Sequence, residues 1–179
     1  AAPMSRTDKL ASIAGRYSER INQLKQFLAT NPAENIPEMS FMTEENWLWL
    51  AGENSADTPE GYQYAMSLAR LSAESNVARD FMRPALLKYA EDKHGQFPTE
   101  LSQLKPYFKS PIEDAVLQRW QILPTSKLVN LHGRYEKEDW VITQKAPVNA
   151  ALDSRIIFNL GDFTMFVNGA GPKHWKTAP

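Results

Sequence analysis

Between residues 5 and 30 the apolar positions Leu10, Ala14, Tyr17, Ile21, Leu24 and Leu28 recur at alternating steps of four and three. That spacing draws a narrow stripe down one side of a helix, which Asn31-Pro32 should end. A stripe this short suits two arrangements, coiled-coil pairing with another helix or a helix lying on its own domain. Gly15 within it lowers the intrinsic helix stability. Residues 31–40, with Pro32 and Pro37, read as an extended connector, and Thr43 then caps a short helix through Trp47 and Leu50 to Gly52. Successive helical residues lie about 100° apart, so Trp47 and Trp49 cannot share one face, and at least one of them should pack against another element.

Thr58-Pro59 opens a further helix with Tyr62, Ala65, Met66 and Ala69 on one side, running on or breaking near residues 72–76. A second stripe, Val77, Ala78, Phe81, Met82, Ala85, Leu86, Tyr89 and Ala90, marks the core helix of the chain. It should end at His94-Gly95 with the glycine at the left-handed position, and Pro84 within it predicts a kink or a fresh start. A short helix from Glu100 to about Lys105 should stop at Pro106. Ser110-Pro111 with Glu113 reads as a capping box for another that finishes before Trp120.

From there the period changes to two. Residues 119–123, 139–144, 155–160 and 163–168 read as strands, the last two forming a hairpin about a Gly161-Asp162 turn with Ile156, Phe158 and Leu160 opposite Val167, Met165 and Phe163. The pattern therefore predicts an α+β fold, helical in its N-terminal half, with a core helix on a C-terminal antiparallel sheet of three to four strands. It divides into a helical extension and linker (1–57), an α+β domain (58–168) and a loosely attached tail (169–179).

Composition narrows the chemistry. The 179 residues are 42% apolar, enough for a real core, and 20 basic residues balance 21 acidic ones. No overall field draws the chain to nucleic acid, so no nucleic-acid partner is expected. With no cysteine, disulfides and thiolate sites are excluded. No apolar run reaches the roughly 20 residues of a membrane span, although Ala1-Ala2-Pro3 resembles the small residues left after signal-peptide cleavage and an anchor could have been removed before it.

Catalytic patterns are missing. His94, His132 and His174 stand apart from one another, with no metal-binding spacing, and no nucleophile elbow or phosphate loop occurs. The acidic pairs Glu91-Asp92, Glu113-Asp114 and Glu138-Asp139 diverge from each other on any regular element. Neither a catalytic group, a cofactor nor a firm metal site is expected. Asn149, Asp153, Asn159 and Asp162 could supply oxygens to a calcium ion, but not at EF-hand spacing.

The run Ala85-Leu86-Leu87-Lys88-Tyr89-Ala90-Glu91-Asp92-Lys93-His94-Gly95-Gln96-Phe97-Pro98-Thr99, followed by Leu101 and Leu104, resembles the helix-exit segment of type IV pilins and type II secretion pseudopilins. It also resembles uncharacterised bacterial envelope proteins, whose similarity continues through Ser110-Pro111 and Trp120. The resemblance covers about residues 76–168. It implies a helix packed on an antiparallel sheet and a periplasmic or extracellular protein of the cell envelope. Pilin-like subunits begin with a long apolar helix, whereas here the residues up to 75 form polar helix and linker.

Three functional readings follow. The first is a non-enzymatic, pseudopilin-like envelope protein acting through a protein partner or self-association, with Leu10, Tyr17, Ile21, Leu24, Leu28, Trp47 and Trp49 as the interaction surface. On that reading Leu24→Glu should abolish association. The second is a small carbohydrate- or peptide-binding module using Trp47, Trp49, Trp120, Trp140 or Trp175, and the third a hydrolase whose groups are scattered along the chain.

Overall fold

A computed structural model describes residues 5–53, 58–128, 135–136, 139–166 and 175. Helix α1 spans Arg6–Thr30. It opens on a capping box in which the Ser5 hydroxyl accepts the Asp8 amide at 3.1 Å, and closes with the Asn31 amide on Phe27 and Leu28 carbonyls. Its stripe is divided. Leu24 is fully buried, with Phe27 and Leu28 packed beside it against Leu50 of α2 (Glu44–Glu53) and Ala65, Met66 and Ala69 of α3 (Pro59–Val77). Leu10, Ile13 and Tyr17, on the same side but nearer the N-terminus, remain exposed.

The connector expected to be extended instead makes two 3₁₀ turns, Pro32–Glu34 and Pro37–Phe41. Each has proline at its first position, where the fixed φ suits a turn and the missing N–H costs nothing. Thr43 caps α2 as expected, its hydroxyl accepting the Asn46 amide at 3.2 Å while Asn46 accepts the Thr43 amide at 2.9 Å. Thr58 caps α3 through the Gly61 amide at 3.0 Å, with Pro59 at the first helical position.

No break occurs at residues 72–76. The chain passes from α3 through one π-helical turn, Ala78–Met82, into α4, Arg83–Asp92. The Arg83 amide reaches back five residues to the Ala78 carbonyl. Pro84 has no N–H, and its ring would meet the carbonyl four residues earlier in a regular helix. The widened turn just ahead of it lets the helix continue.

Helix α4 ends in a Schellman closure, the Gly95 amide donating to the Ala90 carbonyl at 2.7 Å. Two consecutive residues are left-handed there. His94 (φ 53°) takes the position assigned to the glycine, and Gly95 (φ 85°) follows it. The next turn, Leu101–Tyr107, is 3₁₀ and runs past Pro106 rather than stopping before it. The capping box at Ser110 does not form. Helix α5 begins three residues past the expected Pro111, at Asp114–Gln118 with Glu113 as its cap, while Ile112 is drawn into the main core.

Strands β1 (Trp120–Pro124), β2 (Trp140–Gln144), β3 (Arg155–Phe158) and β4 (Phe163–Phe166) form one antiparallel meander. The fold is therefore α+β, with the sheet at the C-terminal end. The last hairpin is shifted by two from the expected register, pairing Phe158 with Phe163 and Ile156 with Met165. Asn159 causes the shift. Its side-chain oxygen accepts the Gly161 and Asp162 amides at 2.9 and 2.8 Å, and its own amide donates to the Asp162 carbonyl, so Leu160-Gly161 becomes the turn. A shift of two keeps every side chain on its face, so Ile156 and Phe158 still point inward. Val167, expected opposite Ile156, lies outside the described residues.

The main core joins Val77, Met82, Leu86 and Tyr89 to Trp120, Ile142, Ile156 and Phe158. The reverse side of the sheet carries a smaller cluster of Leu123, Leu128, Val141 and Ile157 beneath Tyr135. Two glycines separate backbone strain from packing. A Cβ at Gly95 or Gly15 meets nothing within 4 Å, yet only Gly95 is left-handed. Gly95→Ala should cost about 1 kcal/mol in chemical unfolding, whereas Gly15→Ala should be neutral or raise helicity. Equal effects of the two substitutions would remove this account of the helix exit.

Candidate functional site

Arg70 and Glu74 lie one turn apart on α3, on the buried side that also carries Met66, Ala73 and Val77. The Arg70 guanidinium is 1% exposed and joins two distant segments. It meets Glu34 of the first 3₁₀ turn at 2.7 Å and Asp153, in the loop before β3, at 2.6 Å. Asp153 also accepts the Val148 and Asn149 amides at 2.8 and 2.9 Å, which closes that loop around it.

Glu74 accepts from Arg119 Nη2 at 2.6 Å and from Gln144 Nε2 at 3.0 Å, while Gln144 Oε1 accepts the Ile156 amide. Glu38, from the second 3₁₀ turn, takes the Arg119 Nε at 3.1 Å and the Trp120 indole N–H at 2.9 Å. Two buried carboxylates thus share one guanidinium. Desolvation pushes Glu74 up to about 7, and the neighbouring Glu38 charge pushes the same way against the pull of Arg119. Burial also raises Glu38, opposed by Arg119 and by its hydrogen bonds.

Perturbed carboxylates are a common mark of catalysis, but that inference needs access. Three cavities bounded by described residues lie elsewhere, and neither Glu38 nor Glu74 lines any of them. One of about 330 Å³ sits between the Leu101–Tyr107 turn and β1. A second, about 530 Å³, lies where the α4 exit meets the end of the sheet, between Phe97, Asp139, Trp140, Asn159 and Asp162. The third is a groove of about 380 Å³ between α1 and α2, lined by Ile13, Arg16, Tyr17, Arg20, Ala51 and Gly52.

The residues singled out from the sequence do not form one surface. Leu10 is 59% exposed and Tyr17 36%, but Ile21 and Leu28 are half-buried and Leu24 is buried. Leu24→Glu would therefore disrupt the core rather than report on association. Trp47 packs into the second cluster with Lys25 Nζ 5.3 Å over its ring, whereas Trp49, half a turn away, is 48% exposed beside exposed Leu48. Trp120 is buried, and Trp175 stacks near Arg155.

The oxygens proposed for calcium are separated. Asp153 is committed to Arg70, and Asn159 and Asp162 are bonded within the hairpin turn. Among the described residues no group of three acidic or histidine side chains converges on a metal position. His94 is exposed at the helix exit, while His132 and His174 lie outside the described residues. Among the described residues no helix is long and apolar enough to cross a membrane.

Sequence reasoning missed the buried ion clusters, because their partners are 36 to 83 residues apart. One signal was present: Arg70 and Glu74 interrupt an apolar stripe at helical spacing. No known protein family, curated protein or solved structure matches the chain.

The shared guanidinium gives a pH signature. Because the Glu74 pKa rises from 4.5 to about 7 on folding, its protonated form contributes stability in full below pH 4.5, and this is lost as pH rises through 7. The loss should reach about 3 kcal/mol by pH 8. Glu74→Gln should flatten that slope and gain stability at pH 8 in urea titrations. An unchanged slope in the variant would show that Glu74 is not the group responsible.

Proposed function

We propose that this chain is a non-enzymatic envelope module that works through protein contacts, with the N-terminal half of α1 as its contact surface. The observation that carries this reading is the exposure of Leu10, Ile13 and Tyr17 on the same helix side whose continuation, Leu24 to Leu28, is docked on the body. Apolar residues in line along a helix remain open to an additional partner. The sequence resemblance of the α4 exit segment to pilin-like proteins favours an envelope location on this reading, and α4 packed on an antiparallel sheet is compatible with it.

A photo-crosslinking residue at position 13 tests this in cells that make the protein. A discrete protein adduct should form there and not from position 15, exposed on the opposite side of α1. Adducts from both positions, or from neither, would remove the contact surface.

A second reading rests on Trp140, which is 48% exposed in the cleft beside Phe97, Asp139, Asn159 and Asp162. An open indole face beside polar side chains suits a carbohydrate or peptide. On this reading a glycan or peptide panel should quench or shift the intrinsic fluorescence of the intact chain, and Trp140→Ala should abolish that response. A response retained by Trp140→Ala would place any ligand elsewhere.

A further inference from the structure

The charges on α1 say more about the partner than the apolar stripe does. With Arg6 at zero and about 100° per residue, Leu10, Ile13, Tyr17 and Leu24 fall within about 40° of one line. On the same rotation Lys9, Arg16 and Arg20 lie along one flank of that line, within about 80°, while Asp8 and Glu19 fall near 200° and 220°, on the far side. Both acidic residues of α1 thus face away from the stripe, while Lys9, Arg16 and Arg20 border it and Arg6 lies on its line.

Among the described residues these cations are not neutralised: none of Arg6, Lys9, Arg16 and Arg20 makes an ion pair, and Arg20 Nε and Nη2 are shielded from solvent without a hydrogen-bond acceptor. Arg16 and Arg20 line the α1–α2 groove with Ile13 and Tyr17, so apolar and cationic groups share one concave surface. The groove is also closely fitted at its base. A Cβ on Gly52 would come within 3.2 Å of the Tyr17 hydroxyl, so the absent side chain lets Tyr17 lie against α2.

Resting on the protein-contact reading, we infer that this face takes an acidic amphipathic helix of a different protein. A second copy fits poorly. Pairing two such faces brings the cations of both chains along one apolar seam with no carboxylate between them, a like-charge juxtaposition that opposes self-association. A flat anionic membrane fits the charge but not the shape, because the groove is concave and its apolar content is three side chains. A helix with leucines facing the stripe and glutamates along its edges satisfies both, the carboxylates accepting from the guanidinium groups.

The test uses the full chain and two synthetic three-heptad helical peptides with leucine at positions a and d, one with glutamate and the other with lysine at e and g. The glutamate peptide should bind at least about tenfold more tightly than the lysine peptide, and more weakly as salt rises. The double variant Lys9→Glu/Arg16→Glu changes only exposed side chains and should reverse the preference, which a loss of folding cannot do. Failure of both peptides to bind at about 100 μM overturns the inference. Dimerisation of the chain, with no peptide binding, also overturns it but leaves protein contact through α1 standing. Binding to vesicles with phosphatidylglycerol, lost in the double variant and without peptide binding, overturns both.

Discussion

The interaction on which the rest of this structure depends is the sharing of Arg119 by Glu38 and Glu74, with Arg70, one turn before Glu74 on α3, performing the same task for Glu34 and Asp153. Neither group is cheap to bury. Desolvating an ion costs several kcal/mol, and close opposite charges with further hydrogen bonds are needed to offset it. Here each partner comes from a different part of the chain: the N-terminal connector, α3, and the sheet with its loops. The charges therefore specify an arrangement more than they add stability, since a helix displaced by one turn would leave carboxylates buried without partners.

That constraint explains why residues 31–42 and the sheet are attached to one helix. Besides Arg70 and Glu74, Asn76 donates to the Phe41 carbonyl at 2.9 Å and to Asn46 Oδ1 at 2.8 Å. From Arg70 to Asn76, α3 thus carries polar anchors to the connector, the start of α2, the entry to β1 and the end of β2. The apolar clusters then fill the space on either side, Leu24 and Leu50 on one and Trp120 and Phe158 on the other. The packing fixes proximity, and the ion clusters fix which residues face one another.

Much of the architecture was legible because it rests on periodicity. The stripes at 77–90 and the four strands follow from side-chain spacing, and Thr43 and Thr58 cap their helices by local chemistry. The departures occurred where two local devices competed. Asn159 and Gly161 both favour a turn, and the asparagine carbonyl sets the register by binding two amides. Ser110 could cap a helix at once, but a later start lets Ile112 enter the core. Nothing in local spacing ranks these alternatives. The candidate surface was less legible still: the spacing from Leu10 to Leu28 is uniform, whereas only its second half meets the body.

The division of α1 has a physical origin in the lengths of its neighbours. Lys25 lies over Trp47 near the start of α2, while Tyr17 meets Gly52 near its end, so the two helices run antiparallel. Helix α2 has 10 residues against 25 in α1. Rising about 1.5 Å per residue, it accompanies its neighbour for roughly 15 Å, less than half the length of α1. The turns nearer the N-terminus are covered by α2 only as far as the groove beside Ile13 and Arg16, yet they retain both the apolar side and the bordering cations. A helix stabilised only by its own fold has no need of Leu10 and Ile13 there. Their place beside Arg6, Lys9 and Arg16 is what makes α1 a surface with a definite charge preference rather than an overhanging end.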